Sequence, residues 1–253
     1  MATFIKHAPD APQGFLATEA AGLEWLRAAD GAAVVRVIEV TDSALTLDRL
    51  TVAAPTPASA ERFGRALAHT HLAGAPGFGA PPPTAPLDHG FFGPTHEPLP
   101  LTFSCAAHWG SFFADERLLP FAHLAYQRGQ LSTLVPFEQL ADRLRAGLFD
   151  DDLPSARLHG DLWSGNVVWT RDGAVLIDPA AHGGHPLTDI AFMTLFSMPH
   201  FERIVAAYQE VSPLSAQWEQ QIDLHQLPCL LLHAAIFGSV YGPQSLQLAQ
   251  RYL

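Results

Sequence analysis

Residues 157–181 read Arg-Leu-His-Gly-Asp-Leu-Trp-Ser-Gly-Asn-Val-Val-Trp-Thr-Arg-Asp-Gly-Ala-Val-Leu-Ile-Asp-Pro-Ala-Ala. Three polar side chains stand out among apolar neighbours: Asp161, Asn166 and Asp178. A carboxylate can take the proton of an attacking hydroxyl. An amide oxygen and a second carboxylate are hard donors of the kind Mg²⁺ prefers, alongside water and phosphate oxygens. Together they are the parts of a phosphoryl-transfer centre, with Asp161 as the base and Asn166 and Asp178 as the metal ligands.

The elements around them explain the spacing. Residues 167–169 and 174–177 are short apolar runs flanking Thr170-Arg171-Asp172-Gly173, which carries the Asp-Gly pair favoured in hairpin turns. A hairpin there puts Asn166 before the outgoing strand and Asp178 after the returning one, at the same end. His159, Asp161 and Asn166 also fit H-x-D-x-x-x-x-N, the catalytic-loop pattern of protein kinases and their relatives. Other chemistries lack their parts. No HExxH or Cys/His pattern surrounds His159, His182 or His185, no G-x-S-x-G surrounds Ser164, and no G-x-x-x-x-G-K-[ST] occurs anywhere.

Upstream, residues 3–6 form a strand-like segment ending in Lys6, and residues 15–29 repeat apolar positions at helical spacing with Glu19 near the start. Strands follow at 34–40 and 44–50 about a turn at 41–43. A strand lysine can reach nucleotide phosphates while a helix glutamate holds it by an ion pair. Lys and Glu are ordinarily surface residues, so the order of elements carries this assignment. Helices are expected at 58–73, 109–128 (kinked at Pro120), 137–149, 187–196 and 201–210, and in at least two segments of 214–253. Residues 74–100, dense in Pro and Gly, read as an irregular connection, and 182–186 as a Gly-rich loop. The expected architecture is α+β and two-lobed: a small β-rich part over 1–50 and a larger helical part over 51–253.

The balance of 14 Lys+Arg against 25 Asp+Glu, a net charge of −11, disfavours nucleic acid and anionic membranes as partners. Two cysteines without metal or redox spacing suit a reducing compartment. No apolar run approaches the roughly 18 residues of a membrane span, and no signal core opens the chain. A cytoplasmic protein is expected.

His159-Gly160-Asp161-Leu162-Trp163-Ser164-Gly165-Asn166, followed by Ile177-Asp178-Pro179-Ala180 and Gly183-Gly184-His185, resembles the fructosamine/ketosamine-3-kinase family, within the aminoglycoside-phosphotransferase-like group with a protein-kinase-like fold. Further likeness runs through Phe4-Ile5-Lys6, Glu19-Ala20-Ala21-Gly22-Leu23, Trp109 with Phe112-Phe113 and Arg117-Leu118, and Phe237-Gly238 with Tyr241-Gly242. The resemblance implies ATP and Mg²⁺ as cofactors and a ketoamine sugar hydroxyl as acceptor, on a small molecule or a glycated lysine. It implies Asp161 as base, Asn166 and Asp178 as metal ligands, and Lys6 with Glu19 as the phosphate-positioning pair. The backbone at Asp48 and Leu50, in the segment joining the lobes, would bind adenine, and Trp163 and His182 would face the substrate. The sequence departs from the family twice. It starts close to Lys6, so a truncated small lobe without the Gly-rich phosphate loop is expected. Gly184-His185 continues as Pro186-Leu187-Thr188-Asp189, keeping the aspartate of the family's Arg-Glu-x-Asp but not the Arg-Glu pair. Another hydroxyl acceptor (an aminoglycoside, a choline-like alcohol or a sugar) and a nucleotide-binding pseudokinase are the alternatives to be tested.

Overall fold

The computed structural model describes residues 2–93, 95, 97–238 and 240–253. Pro94 and His96, inside the expected irregular connection, and Ser239 lie outside the described residues.

The chain opens with β1 (Thr3–His7), α1 (Phe15–Arg27), β2 (Ala33–Val34), β3 (Val37–Val40) and β4 (Ala44–Asp48). β1 and β3 flank β4 in an antiparallel sheet, and β1 pairs with β4 from Thr3↔Asp48 to His7↔Ala44. The single strand expected over 34–40 is broken. β2 leaves the sheet and runs parallel to a strand of the catalytic hairpin, with Ala33↔Val175 and Val34↔Leu176 in register. One hydrophobic core therefore crosses residue 50, running from Leu23, Leu26, Leu45 and Leu47 to Phe63, Leu67, Val167, Leu176 and Ile204.

α2 (Pro57–Leu72) begins with Thr56 as N-cap, its hydroxyl accepting from Ser59 N in a reciprocal capping box, and with Pro57 where a missing N–H costs nothing. Two details differ from expectation, one in the connection that follows and one in the helix expected at 109–128. β5 (His89–Phe92) and β6 (Leu99–Thr102) form an antiparallel hairpin in which buried positions alternate with half-buried ones in β5 and exposed ones in β6, a period that prolines at 98 and 100 obscure. α3 (Trp109–Phe112) and α4 (Leu119–Gln127) are joined by a π turn over Phe113–Leu118. Pro120 lacks the N–H that would continue the ladder, and the wide turn just before it absorbs that loss in place of a simple kink.

α5 (Val135–Arg145) precedes β7 (Ala156–Leu158), the hairpin β8 (Val167–Trp169) and β9 (Ala174–Leu176), and β10 (His182–Gly184). The expected Gly-rich loop is thus partly a strand, paired with β7 and buried at all three positions. His-Gly-Gly carries no strand signature of its own, and the pairing supplies it. α6 (Leu187–Leu195), α7 (Phe201–Gln209), α8 (Trp218–Phe237) and α9 (Tyr241–Gln250) complete the chain. A second core joins α3, α4, α5, α8 and α9 through Trp109, Phe121, Phe137, Leu140, Leu231 and Leu248.

Candidate active site

The catalytic loop leaves β7 at Leu158 and is fixed from behind before it presents any reactive group. The carboxylate of Asp189, on the first turn of α6 and fully buried, accepts the backbone N–H of His159 at 2.8 Å and of Gly160 at 2.9 Å. Its pKa is lowered: burial opposes ionisation, but the hydrogen bond from His71, the charge interactions with His71 and His159, and the Gly160 amide together outweigh it. Gly160 has φ of 81°, and a Cβ there would lie 2.2 Å from the Ala180 carbonyl, so the motif requires glycine. His159 accepts the Asp161 N–H on Nδ1 at 3.2 Å and donates from Nε2 to the Ile177 carbonyl at 2.9 Å. One imidazole therefore ties the loop to the residue before Asp178, which is the anchoring role its position suggests.

Asn166 joins the reactive groups. Its amide nitrogen donates to the Asp161 carboxylate at 2.9 Å, to the Asp161 carbonyl at 2.8 Å and to the Asp178 carbonyl at 3.4 Å. With the nitrogen so occupied, the amide oxygen is the atom left for a metal ion. Burial raises the Asp161 pKa to about 7 against the Asn166 hydrogen bond, and the charges of Asp178 and Asp189 push the same way. Asp178 follows β9 with φ of 51°, a left-handed conformation unusual outside glycine, and keeps its side chain 43% exposed. Among the described residues no group of three or more His, Cys, Asp or Glu could hold a metal ion unaided. An oxygen pair from Asn166 and Asp178 fits Mg²⁺ shared with phosphates, because that ion is usually held by one or two protein oxygens plus substrate.

Lys6 reaches this group from β1. Its Nζ lies 2.8 Å from Glu19 Oε2 on α1 and 3.2 Å from Asp178 Oδ1, so Lys6 meets the glutamate it was expected to pair with and also contacts Asp178. Burial disfavours the Lys6 ammonium, but the two carboxylates outweigh it and raise its pKa.

Two cavities converge on Lys6 and Asp178. One, of about 400 Å³, is walled by Phe4, Val35, Leu47, Leu50, Val52, Val168 and Ile177, with Asp48 and Arg49 at the lobe junction. The Asp48 N–H is taken by the Arg36 carbonyl at 3.1 Å, and its carboxylate by the Arg36 guanidinium at 2.9 Å. Asp48 and Leu50 line this largely apolar slot. The other cavity, of about 740 Å³, is lined by Asp161, Asn166, Glu19 and Trp163 and by the aromatic residues Phe91, Phe196, His233, Phe237 and Tyr241. Trp163 stands at its wall, edge-on to Phe196 at 5.3 Å, and packs over Gly165.

His182 is elsewhere. It is 5% exposed, donates from Nδ1 to the Ala180 carbonyl at 2.8 Å and packs on Phe112, outside the 740 Å³ cavity. Burial and the nearby Arg117 charge push its pKa down to about 3, so it is a neutral prop behind the loop, in place of the substrate contact expected of it. Conversely, the aromatic wall of Phe91, Phe196 and His233 escaped the sequence reading, because its members come from three distant elements. So did His71 as a partner of Asp189, at 3.1 Å. Its place with Phe63 and Leu67 on one face of α2 was the available signal, since a histidine inside an apolar stripe needs a buried partner.

A family model described as fructosamine kinase matches residues 1–253. The probable ketoamine kinase TTHA1179 of Thermus thermophilus is 32% identical over 241 residues, covering 94% of this chain and 82% of the relative. A crystal structure assigned as a fructosamine-3-kinase, from Thermobifida fusca, superposes with a TM-score of 0.89 at 41% identity, over 99% of this chain and 85% of that one. An aminoglycoside phosphotransferase in ternary complex with ADP and hygromycin B shares the fold alone, with a TM-score of 0.59 at 14% identity over 93% of this chain and 83% of that one. The fold is therefore that of the protein-kinase-like phosphotransferases, and the chain belongs to the fructosamine kinase family.

Proposed function

We propose that this chain transfers the γ-phosphoryl group of ATP to a sugar hydroxyl of a ketoamine, acting on glycated amines in the cytoplasm. The observation that carries the reading is the meeting of two cavities at one charged group: Lys6 and Asp178 line both, while Asp161 faces only the larger one. The apolar slot suits a purine, and the wide aromatic cavity suits a sugar with its amine substituent. Asp161 accepts the proton of the acceptor hydroxyl, and a pKa near working pH is what a general base needs. Asn166 keeps that carboxylate oriented through its amide nitrogen and offers its oxygen, with Asp178, to Mg²⁺. Bound there, the ion would neutralise phosphate charge as the transfer proceeds. Lys6 turns from Asp178, the longer of its two contacts, to the phosphates, while Glu19 holds it in place. A reducing setting is supported by two free cysteines, Cys105 and Cys229, and no described helix is long and apolar enough to cross a membrane.

The test is purified protein with Mg²⁺-ATP and a synthetic ribulosamine or fructosamine, followed by ADP release and by mass spectrometry of the acceptor. A gain of one phosphate on the ketoamine is expected. Turnover confined to an aminoglycoside, choline or free sugar in the same panel would reassign the acceptor, and ATP binding without turnover of any acceptor would make the chain a pseudokinase.

A further inference from the structure

Asp189 is held on its far side by a chain of buried groups that no step of the reaction uses. His71 of α2 places Nε2 3.1 Å from Asp189 Oδ2 and Nδ1 2.9 Å from the Tyr208 hydroxyl of α7. Tyr208, His71 and Asp189 are 1%, 3% and 0% exposed. They come from three helices, more than a hundred residues apart in sequence between His71 and either partner.

The direction of the His71–Asp189 bond is fixed by the carboxylate. Asp189 already receives two amides, so as a carboxylate it can only accept from His71, and Nε2 carries the proton. Nδ1 lies within hydrogen-bond distance of the Tyr208 hydroxyl. The ring packs edge-on to Tyr208, with centroids 5.5 Å apart, which restricts its rotation. Asp189 Oδ2 is therefore shared between His71 and the His159 amide, while Oδ1 takes the Gly160 amide. Without the His71 donor, the carboxylate would lose its side-chain hydrogen bond at Oδ2 and could shift toward the amides that remain.

We infer that His71 is a positioning residue for the catalytic loop: through Asp189 it sets the backbone at His159 and Gly160, and so the place of Asp161. The consequence reaches further along the same links. His159 joins the loop to the Ile177 carbonyl, next to Asp178, so a loop that slips displaces the base and one metal ligand together. None of His71, Tyr208 and Asp189 lines either cavity, so substrate contacts are untouched. The expected signature is a loss in kcat with little change in either KM, because a small misplacement of reacting groups can cost about a hundredfold.

The experiment compares wild type with His71→Leu and His71→Gln. Leu removes the donor at similar bulk, whereas the Gln amide can still donate to Asp189. In ketoamine turnover, His71→Leu is expected to lose kcat by about 10- to 100-fold with both KM values within threefold, and His71→Gln to recover most of it. Hydrogen exchange at the His159 and Gly160 amides, both bonded to Asp189, should quicken at least tenfold in His71→Leu and return in His71→Gln. This readout does not depend on the proposed acceptor, although the kcat arm rests on that reading. Absence of turnover by wild type would sink the function, while the exchange arm would still decide the positioning. A His71→Leu protein with wild-type kcat and wild-type exchange at these two amides, merely melting earlier, would overturn the inference. Should that variant fail to fold, Tyr208→Phe is measured in its place: it deletes one hydroxyl, and unchanged exchange at both amides would be equally fatal.

Discussion

The two sides of the phosphoryl-transfer centre are built differently. The catalytic loop is enclosed: Leu158, His159, Asn166 and Asp189 are buried, and each polar member has a buried or half-buried partner. β1, which brings Lys6, is an edge strand exposed at four of its five positions, including Phe4 at 51% and Ile5 at 47%. The proposed base and Asn166 are thus set by a packed interior, whereas Lys6, the proposed phosphate contact, is set by one strand pairing and by ion pairs to Glu19 and Asp178. Buried polar networks tolerate displacement poorly, while an exposed edge can shift at little cost. Changes on the loop side should act on the chemical step, and changes on the β1 side on nucleotide affinity.

The largest effect belongs to Asp161→Asn. Removing the base while keeping size and the Asn166 neighbour should lower kcat by about 10³-fold or more, with modest change in KM for ATP. The same change should stabilise the protein at alkaline pH. The folded-state pKa of Asp161, about 7, lies above the ordinary 3.8, so the unfolded chain ionises more readily and stability falls as pH rises between those values. The penalty is absent below about pH 4 and complete above about pH 7, so the variant should melt several degrees higher at pH 8 and close to wild type only near pH 4. Calorimetry across that range checks it, and a lower melting temperature at pH 8 would contradict the burial argument. In wild type the same group predicts that kcat/KM climbs with pH through a midpoint near 7, a limb that Asp161→Asn removes.

Next in size is Lys6→Met on the other side. Its loss should raise KM for ATP and lower kcat/KM by about 100-fold, consistent with a positioning charge in phosphoryl transfer. Stability is a separate readout. Glu19 is buried, burial pushes its carboxyl up to about 7, and without Lys6 it should take up a proton near neutrality instead of unfolding the lobe. Melting temperature should therefore change far less than kcat/KM, and a collapse in Tm would mean that the ion pair holds the lobe together.

The contrast also sorts what the sequence made legible. Asp161, Asn166 and Asp178 stood out because their spacing follows from one local hairpin, and Lys6 and Glu19 because strand-then-helix order is local as well. The helices expected at 58–73, 137–149 and 201–210 appear at 57–72, 135–145 and 201–209. What escaped depends on contacts distant in sequence. β10 is a strand only because β7 lies beside it, β2 leaves its sheet to pair with β9, and His182 turned inward once Phe112 and the Ala180 carbonyl closed over it. His71 meets Asp189 across 118 positions, a pairing that no window of residues contains.

The smallest effect tests the exposed edge directly. Phe4 lines the 400 Å³ slot while half of its surface faces solvent, and Ile5 is similarly exposed without lining it. Burial stabilises roughly in proportion to apolar area removed from water, so neither side chain contributes much to folding. Replacing either with Thr keeps β propensity and should leave melting temperature within about 2 °C, since surface substitutions are usually worth less than 0.5 kcal/mol. The two should separate on nucleotide binding. Phe4→Thr removes a wall of the slot and should raise KM for ATP by about three- to tenfold at unchanged kcat, through the loss of a binding contact common to ground and transition states. Ile5→Thr should leave both constants unchanged. Equal KM values for the two variants would mean that β1 holds the nucleotide through Lys6 alone, with its apolar side chains idle.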